Sequence, residues 1–242
     1  MGYYRFKSAS IMYYSLISSM LKTTVSTLLT SLYAVYKGES NANDSLGTYN
    51  GTPQGGLTFT TGKSGNAFTF NGTSAEIALA DNFKFTGGEF SVSFWVYPTD
   101  VTNAQGVVTN FQQTSFFTVY WGWKIWLYNG KITFTKGNGT TTPYSLDSNT
   151  LSINTWYHVT FTRSDSNNRT RCYINGSLVS SDTDTHTISY YITHYPRIGS
   201  RKSYDTTDLF MKSGSKIDEL NFHNREITQA EVTELQTKYY PF

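Results

Sequence analysis

Short runs in which apolar and polar residues alternate are the feature that most limits how this chain can fold. The clearest is residues 90–97, Phe-Ser-Val-Ser-Phe-Trp-Val-Tyr, which Pro98 ends, and residues 157–162 alternate in the same way. Because successive side chains of a β-strand point to opposite faces, this period of two predicts half-buried strands. Asn-Gly pairs at 129–130 and 175–176 join neighbouring runs and predict tight hairpins.

The remaining predicted strands are short runs with turn residues between them. They are residues 57–61, 67–70, 76–79, 106–110, 116–121, 124–128, 131–136 and 187–192. Many strands at this spacing predict an all-β fold, a two-sheet antiparallel sandwich. Near the end of the chain, Thr228 and Glu231 form a capping box, which predicts a short C-terminal helix with Val232 and Leu235 on its apolar side.

Composition and charge exclude several classes of protein. Aromatic residues make up 17% of the chain and charged residues 15%, whereas a disordered chain is poor in aromatics and rich in charge. The net charge of +2 is too balanced for a nucleic-acid binder that neutralises phosphates. Cys172 is the single cysteine, so no internal disulfide can form. No run of 18 apolar residues occurs, and we expect no membrane span.

A different pattern precedes Leu32. Between Ile11 and Leu32 apolar residues recur at steps of three and four, which predicts one stripe along a helix. The stripe consists of Tyr14, Ile17, Leu21, Val25 and Leu28. Its polar face is nearly uncharged, so we expect residues 1–31 to be an anchor or oligomerisation segment that is buried in a trimer of this chain or in a groove of another protein. Binding to the surface of an anionic membrane is the weaker alternative.

Several motifs from residue 32 onward resemble one known family in sequence and in order. They include residues 41–52 (NANDSLGTYNGT), 65–72 (GNAFTFNG), 90–98, 155–159 (TWYHV) and 216–220 (KIDEL). This series resembles the concanavalin A-like, laminin G-type (pentraxin-like) jelly-roll domain. The resemblance implies that residues 32–242 form one jelly-roll sandwich.

The opening of the domain is similar to versions found in bacteriophage tail or head fibre proteins. That resemblance implies a virion structural protein at the surface of a phage particle, with residues 1–31 contacting other virion proteins and the sandwich attaching to host-surface glycans. A free-standing carbohydrate-binding module or lectin, which would be extracellular, is the alternative interpretation. Fold alone decides neither, because this sandwich serves many functions.

The resemblance also implies a structural calcium site. In relatives, an Asp of the opening loop and an Asp of the closing strand often approach one cation, and the corresponding residues here are Asp44 and Asp218. Gly47 and Asn50 lie near enough in the chain to supply further oxygen ligands, of which Ca²⁺ needs six to eight. The alternative is that Asp44 caps a turn of its own loop and Asp218 is a satisfied polar residue at a strand end.

Residues 116–126 concentrate three of the five tryptophans of the chain and form a candidate ligand platform. Sugar rings stack on Trp and Tyr faces, so Tyr120, Trp121 and Trp123 are the predicted ligand-binding residues, with a turn at Gly122 between the last two. The alternative is that these rings fill the space between the sheets, and we expect that role for Trp126.

Catalytic motifs are missing from the sequence. Glucanases of this fold carry paired acidic residues on one strand, and no strand here has that pattern. The acidic residues in 182–186 and 205–208 lie in Thr-rich stretches that predict solvated loops, and the four histidines have no metal-ligand spacing. We therefore expect a non-enzymatic protein, with a hydrolase of unrecognised site as the remaining alternative.

Overall fold

The computed structural model describes residues 27–80, 83–85, 88–114, 119–190, 196–201 and 208–239. The chain divides between Ser31 and Leu32 into two units, and of the first the structure describes residues 27–31. These residues contain a 3-10 helix, Leu29–Ser31, and the first strand begins at Leu32. The predicted N-terminal helix therefore does not reach Leu32, and its other turns lie outside the described residues. Among described residues, no helix has the length and apolar character needed to cross a membrane.

The second unit consists of strands followed by one α-helix. The strands are β1 (Leu32–Tyr36), β2 (Thr52–Gln54), β3 (Thr58–Thr61), β4 (Asn66–Thr69), β5 (Glu76–Ala78), β6 (Phe90–Tyr97), β7 (Gln105–Thr114), β8 (Val119–Tyr128), β9 (Lys131–Thr140), β10 (Tyr144–Thr150), β11 (Tyr157–Ser164), β12 (Arg169–Ile174), β13 (Ser177–Thr183), β14 (Arg197–Ile198), β15 (Ser200–Arg201), β16 (Leu209–Phe210) and β17 (Lys216–His223). The helix, α1, is Gln229–Thr237.

Within the described residues the strands form two large sheets and one small one. The first sheet has the order β13-β12-β11-β6-β17-β4-β3, and β1 also pairs with β17. The second has the order β10-β9-β8-β7-β14-β5-β2, and β15 pairs with β16. The pairings in both large sheets are antiparallel, as the sequence predicts for a sandwich.

The core lies between the two large sheets, where aromatic rings from both meet. Phe90 of β6 packs against Trp123 of β8 with their ring centroids 5.4 Å apart, and Phe161 of β11 lies 5.8 Å from Phe134 of β9. All four side chains are buried. The alternation in residues 90–97 correctly gives the core face, because its even-numbered members, from Phe90 to Val96, belong to this core. The expected half-burial is wrong, because Ser91, Ser93 and Trp95 on the other face are buried as well.

The helix α1 begins as the sequence predicts. Thr228 is its N-cap, and the capping box with Glu231 is formed from both sides. Val232 and Leu235 are buried. The segment just before the helix contacts β6, where the Ser91 hydroxyl donates to the carbonyl of Arg225 at 2.8 Å. This contact helps to explain why Ser91, on the face of β6 opposite the core, is buried as well.

Both predicted Asn-Gly hairpins are confirmed. Asn129 and Gly130 join β8 to β9, Asn175 and Gly176 join β12 to β13, and all four residues have positive φ, as a two-residue turn of this type requires. The strand predicted over residues 187–192 is wrong for its described part, since residues 187–190 have no strand structure. The amide of Ser189 in this segment donates instead to the carbonyl of Gly137 in β9 at 3.3 Å.

Candidate functional site

The predicted aromatic platform is divided between two environments. Trp123 is fully buried in the core, and its Nε1 donates a hydrogen bond to the hydroxyl of Tyr190 at 3.1 Å. A ligand cannot stack on a ring with no exposed surface, so the prediction that Trp123 binds a ligand is wrong. Tyr190 comes from the irregular segment after β13, and no sequence pattern indicates that it would cover Trp123.

The turn predicted at Gly122 is also wrong, because β8 continues through it. Gly122 has φ +76°, its amide donates to the carbonyl of Ser189 at 2.7 Å, and a Cβ there would lie 2.0 Å from the carbonyl oxygen of Asn110. Only glycine fits this close approach. Tyr120 and Trp121, just before it, are half-buried, so they stay candidates for ligand contact but do not share a surface with Trp123.

The next part of β8 carries three side chains on the face turned away from the core, which we call the outer row: Lys124, which is buried, Trp126, which is half-buried, and Tyr128, which is exposed. The Trp126 and Tyr128 rings are stacked, with centroids 5.5 Å apart and planes 4° apart. The Lys124 ammonium lies 4.1 Å from the Trp126 ring centroid and 4.7 Å from that of Phe111. Burial lowers the pKa of Lys124 to about 7. Tyr128 is 49% exposed and offers the free ring face of the row.

Hydrogen-bonding side chains of β9 and β10 flank the outer row. The Trp126 Nε1 donates to the Thr135 hydroxyl at 3.0 Å, and Thr133 donates to Asp147 at 2.8 Å. The sequence interpretation assigned Trp126 to the core and missed this face. The sequence does contain a signal for this face. Successive residues of a strand point to opposite faces, so residues 124, 126 and 128 lie on the face away from residues 123, 125 and 127, and Trp126 lies on the face away from Trp123.

Asp44, the first predicted calcium ligand, is buried in the loop after β1. Its Oδ1 accepts hydrogen bonds from the amides of Val35 at 2.9 Å and Leu46 at 3.0 Å, and its Oδ2 accepts from those of Thr48 and Tyr49, both at 3.1 Å. These four donors occupy the lone pairs with which the carboxylate would bind Ca²⁺. The donor arrangement fits a loop cap and does not fit a cation.

The other predicted ligands are engaged in similar contacts. The Asn50 side-chain oxygen accepts from the Asp44 amide at 3.1 Å, and the Gly47 amide donates to the Asp44 carbonyl at 2.8 Å. Asp218 accepts from the amides of Lys63 at 2.7 Å and Ser64 at 3.0 Å, in the turn between β3 and β4, and burial raises its pKa to about 6. The described residues contain no group of three or more His, Cys, Asp or Glu side chains placed to hold a metal. These contacts favour the alternative in which Asp44 caps its own loop, and calcium binding itself is untested.

The predicted anchor residues fall mostly outside the described part of the chain. This applies to Tyr14, Ile17, Leu21 and Val25. Leu28 is described, and its carbonyl accepts a hydrogen bond from the Ser31 amide at 3.1 Å in the turn that leads into the 3-10 helix. The role of residues 1–31 stays a prediction.

An open cavity of about 590 Å³ lies at one end of the sandwich, and the sequence interpretation missed it. Its lining consists of Tyr144 at the start of β10, Asn167 and Asn168 in the turn between β11 and β12, and residues 182–186 at the end of β13. The prediction that residues 182–186 form a solvated loop is wrong for Asp184, whose side chain is 6% exposed.

Two cations from opposite sheets hold Asp184 beneath this cavity. The Lys136 Nζ of β9 lies 2.9 Å from Asp184 Oδ2, and the Arg163 Nη1 of β11 lies 3.7 Å from the same oxygen. Both cations are buried, and both also donate to the carbonyl of His186. Burial lowers the pKa of Lys136, although its hydrogen bond to Asp184 acts in the opposite direction. We call Lys136, Arg163 and Asp184 the ion network.

Several solved structures have a fold similar to that of this chain. Domain 4 of AbnA, a GH43 extracellular arabinanase from Geobacillus stearothermophilus whose structure is in complex with arabinotriose, is similar, with 24% identity and a TM-score of 0.66 over 86% of this chain and 98% of that chain. The binding domain of Paraclostridial Mosquitocidal Protein 1 is similar at 18% identity and a TM-score of 0.67, over 86% of this chain and 52% of that one.

The botulinum neurotoxin serotype D binding domain is similar at 21% identity and a TM-score of 0.64, over 87% of this chain and 52% of that one. The chain thus spans about half the length of the two toxin domains. No curated protein matches it. Residues 71–233 match the model of a sequence family, and this is more than half of the chain. This chain belongs to the concanavalin A-like lectin/glucanases superfamily.

Proposed function

We propose that this chain is a non-enzymatic structural protein of a virus particle, a phage fibre or decoration protein, and that its sandwich attaches to glycans on the host surface. The family and the similar structures support a binding function, because they include an arabinanase domain in complex with arabinotriose and toxin binding domains. The opening of the domain, residues 31–52, resembles that of phage fibre domains and favours the virion.

The outer row is the observation that carries the glycan-binding part of this proposal. Tyr128 presents a free aromatic face, and hydroxyl and carboxylate groups of Thr133 and Asp147 lie on the same face of the sheet. An apolar surface beside a few fixed polar groups is the arrangement that binds a sugar ring. Tyr120, half-buried on the same strand, extends this surface in the proposal, because its ring lies 5.9 Å from that of Phe111, which Lys124 also contacts. Trp121, also half-buried, stays a candidate for ligand contact. Single-site affinity at such a surface is low, and many copies on one particle would raise it by avidity.

A glycan array probed with a multimerised form of the full chain tests the binding. We expect Tyr128→Ala to remove the signal, because the substitution deletes the exposed ring face. Ile153→Ala is the matched control, since Ile153 is exposed to a similar extent, 48%, and lies in the loop after β10. An array that stays blank for the unmodified chain contradicts glycan attachment.

The virion part of the proposal depends on residues 1–31. We propose that they bind other virion proteins or two further copies of this chain, because Ser, Thr and Val make a helix of this composition marginal unless it is buried. Deletion of residues 1–30 should leave a folded, monomeric sandwich that no longer joins the particle. Particles that still carry the truncated chain at full occupancy would place the attachment on the sandwich instead.

A free-standing carbohydrate-binding module is the second candidate function. One observation favours it: the alignment with the arabinanase domain covers 98% of that domain, so a sandwich of this size can be a module of a larger secreted enzyme. The two candidates differ in solution. A free module stays monomeric with residues 1–31 present, whereas the virion protein forms an oligomer that the deletion abolishes, which light scattering coupled to size exclusion measures.

A further inference from the structure

The cavity at the end of the sandwich combines a shaped surface with polar groups that the fold does not fully use. The Tyr144 and His186 rings form part of the wall, with centroids 6.3 Å apart and planes 32° apart. Asn167, Asn168 and residues 182–186 line the remainder and supply amide, hydroxyl and carboxylate groups. A volume of about 590 Å³ lies within the range of small-ligand pockets.

The ion network makes this cavity a rigid surface. Residues 184–186 have no strand structure, yet Asp184 and the His186 carbonyl are held by Lys136 and Arg163, whose side chains are 0% and 1% exposed. Burying such charges is costly, and apolar residues of similar volume are often at least as stable. Here the buried charges fix the position of a polar surface loop. A fixed loop favours binding, because a rigid site loses little entropy when a ligand binds.

The charges of the lining select the class of ligand. Among the described residues that line the cavity there is no Lys or Arg. Of the two cations beneath it, Lys136 is engaged with Asp184 at 2.9 Å, and Arg163 with Asp165 at 2.5 Å and with Asp184 at 3.7 Å. Asp182 is exposed, and its carboxylate accepts only the amide of Thr183 among the described residues, at 2.8 Å. A carboxylate with no lining cation opposes an anionic ligand and accepts hydrogen bonds from hydroxyl groups.

We propose that this cavity binds an uncharged saccharide, whose hydroxyl groups bond to Asp182, Thr185 and the amides of Asn167 and Asn168. The proposal rests on the carbohydrate-binding function proposed above and adds a second site, separate from the outer row. Lys136 and Arg163 act as positioning residues, because they touch the loop and not the ligand.

Chemical-shift mapping of the full chain with arabinotriose, a neutral trisaccharide, and with a trimer of galacturonic acid, its acidic counterpart, tests this site. We expect arabinotriose to shift the amide signals of residues 182–186 and the acidic trimer to leave them unchanged. The indole signals of Trp121 and Trp126 report separately on β8. The double variant Asp182→Ala/Thr185→Ala should weaken arabinotriose binding by about tenfold or more, since two hydrogen bonds are lost.

Asn149→Ala is the matched control, because Asn149 is exposed near the other end of β10. Both substituted positions of the double variant are exposed, so its melting temperature should equal that of the unmodified chain.

Shifts confined to the indole signals, with unchanged affinity in the double variant, would overturn the cavity site and leave the proposed glycan binding intact. Shifts at residues 182–186 from the acidic trimer alone would overturn the ligand class. No binding of either trimer, together with a blank glycan array, would overturn both proposals.

Discussion

Two loops of the sandwich each close around a buried aspartate, but the partners of the two aspartates differ. Asp44 accepts four backbone amides, all from β1 or its own loop, within nine residues along the chain. Asp184 has a local contact, in which the His186 amide donates to its Oδ1 at 2.7 Å. Its Oδ2 faces Lys136 at 2.9 Å and Arg163 at 3.7 Å, which come from β9 and β11 in opposite sheets. The first aspartate is therefore held by local contacts alone, whereas the second combines a local contact with ion pairs to both sheets.

This difference indicates what each loop can do. The Asp44 carboxylate is consumed by its own backbone, which leaves no lone pair for a ligand. The Asp184 loop uses partners from elsewhere in the fold, so the neighbouring Asp182 and Thr185 remain exposed at a fixed place. A loop that is fixed by side chains of other strands can present its own polar groups to a ligand. A loop whose polar groups bond to its own backbone cannot.

The largest expected effect comes from removing one member of the ion network. Lys136→Met should lower the free energy of unfolding by about 3–5 kcal/mol, because Asp184 is left buried with an incomplete set of partners. Urea unfolding measures the change. The control is Lys131→Met, which breaks an exposed pair with Asp147 at 3.2 Å and should cost less than about 1 kcal/mol. Equal losses in the two variants would mean that the network does not join the sheets.

The second effect tests the local loop. Asp44→Ala removes the acceptor of four amides, and we expect a loss of about 2–3 kcal/mol. Asp44→Asn should lose at least as much, because its NH2 group replaces one acceptor oxygen and faces two amide donors in a buried site. Both are measured by the same urea unfolding. Asp182→Ala is the comparison, since an exposed carboxylate should contribute almost nothing. A loss from Asp44→Ala as small as that from Asp182→Ala would contradict the role of Asp44 as the loop's cap.

His158 is a third buried polar group, and it has fewer partners than either aspartate. Its Nε2 lies 2.9 Å from the Ser93 hydroxyl, its Nδ1 has no partner in the described residues, and burial lowers its pKa to about 4. Below pH 6.5 the unfolded chain therefore binds a proton that the folded chain does not, so stability falls as the pH falls.

Between pH 6.5 and 5 this contribution is about 2 kcal/mol, and it should be absent in His158→Gln. Urea unfolding of both proteins at the two pH values measures the difference in slope. Asp218 and Glu219, whose pKa values burial raises to about 6 and about 7, act in the opposite direction in both proteins and cancel in that difference. Parallel pH profiles would mean that His158 is hydrated in the folded state.

The smallest expected effect is that of removing calcium. Because backbone amides occupy the oxygens of Asp44, we expect a chelator to leave the melting temperature unchanged. A fall in melting temperature that Asp44→Ala abolishes would instead support the calcium site that the family resemblance implies, since a bound cation stabilises the folded state by mass action.

Local chemistry was the part of this fold that the sequence predicted well. The core face of residues 90–97, the Asn-Gly turns and the Thr228 capping box each depend on a few neighbouring residues, and each is found in the structure. Two other contacts join residues far apart in the chain. Trp123 bonds to Tyr190, 67 positions away, and Lys136 pairs with Asp184, 48 positions away. No period or spacing in the sequence carries contacts of that kind.

The same limit explains the errors at the candidate site. A cluster of Trp residues on one strand is divided by the pleat, so that Trp123 faces the core and Trp126 the outside, and counting residues by two would have separated them. For Asp184 no such signal existed. A Thr-rich acidic stretch has the composition of a solvated loop, and only the packing of β9 against β11 provides the cations that bury it.

The pairing of β1 with β17 has a consequence for how this domain can be combined with other proteins. Leu32, at the start of the first strand, lies opposite His223, at the end of the last one, so the chain enters and leaves this sheet at neighbouring positions. A domain with adjacent entry and exit points can be inserted into a surface loop of a host protein with little distortion of that host. The sandwich can therefore be inserted into another protein as a unit, because the first strand begins and the last strand ends at the same end of one sheet.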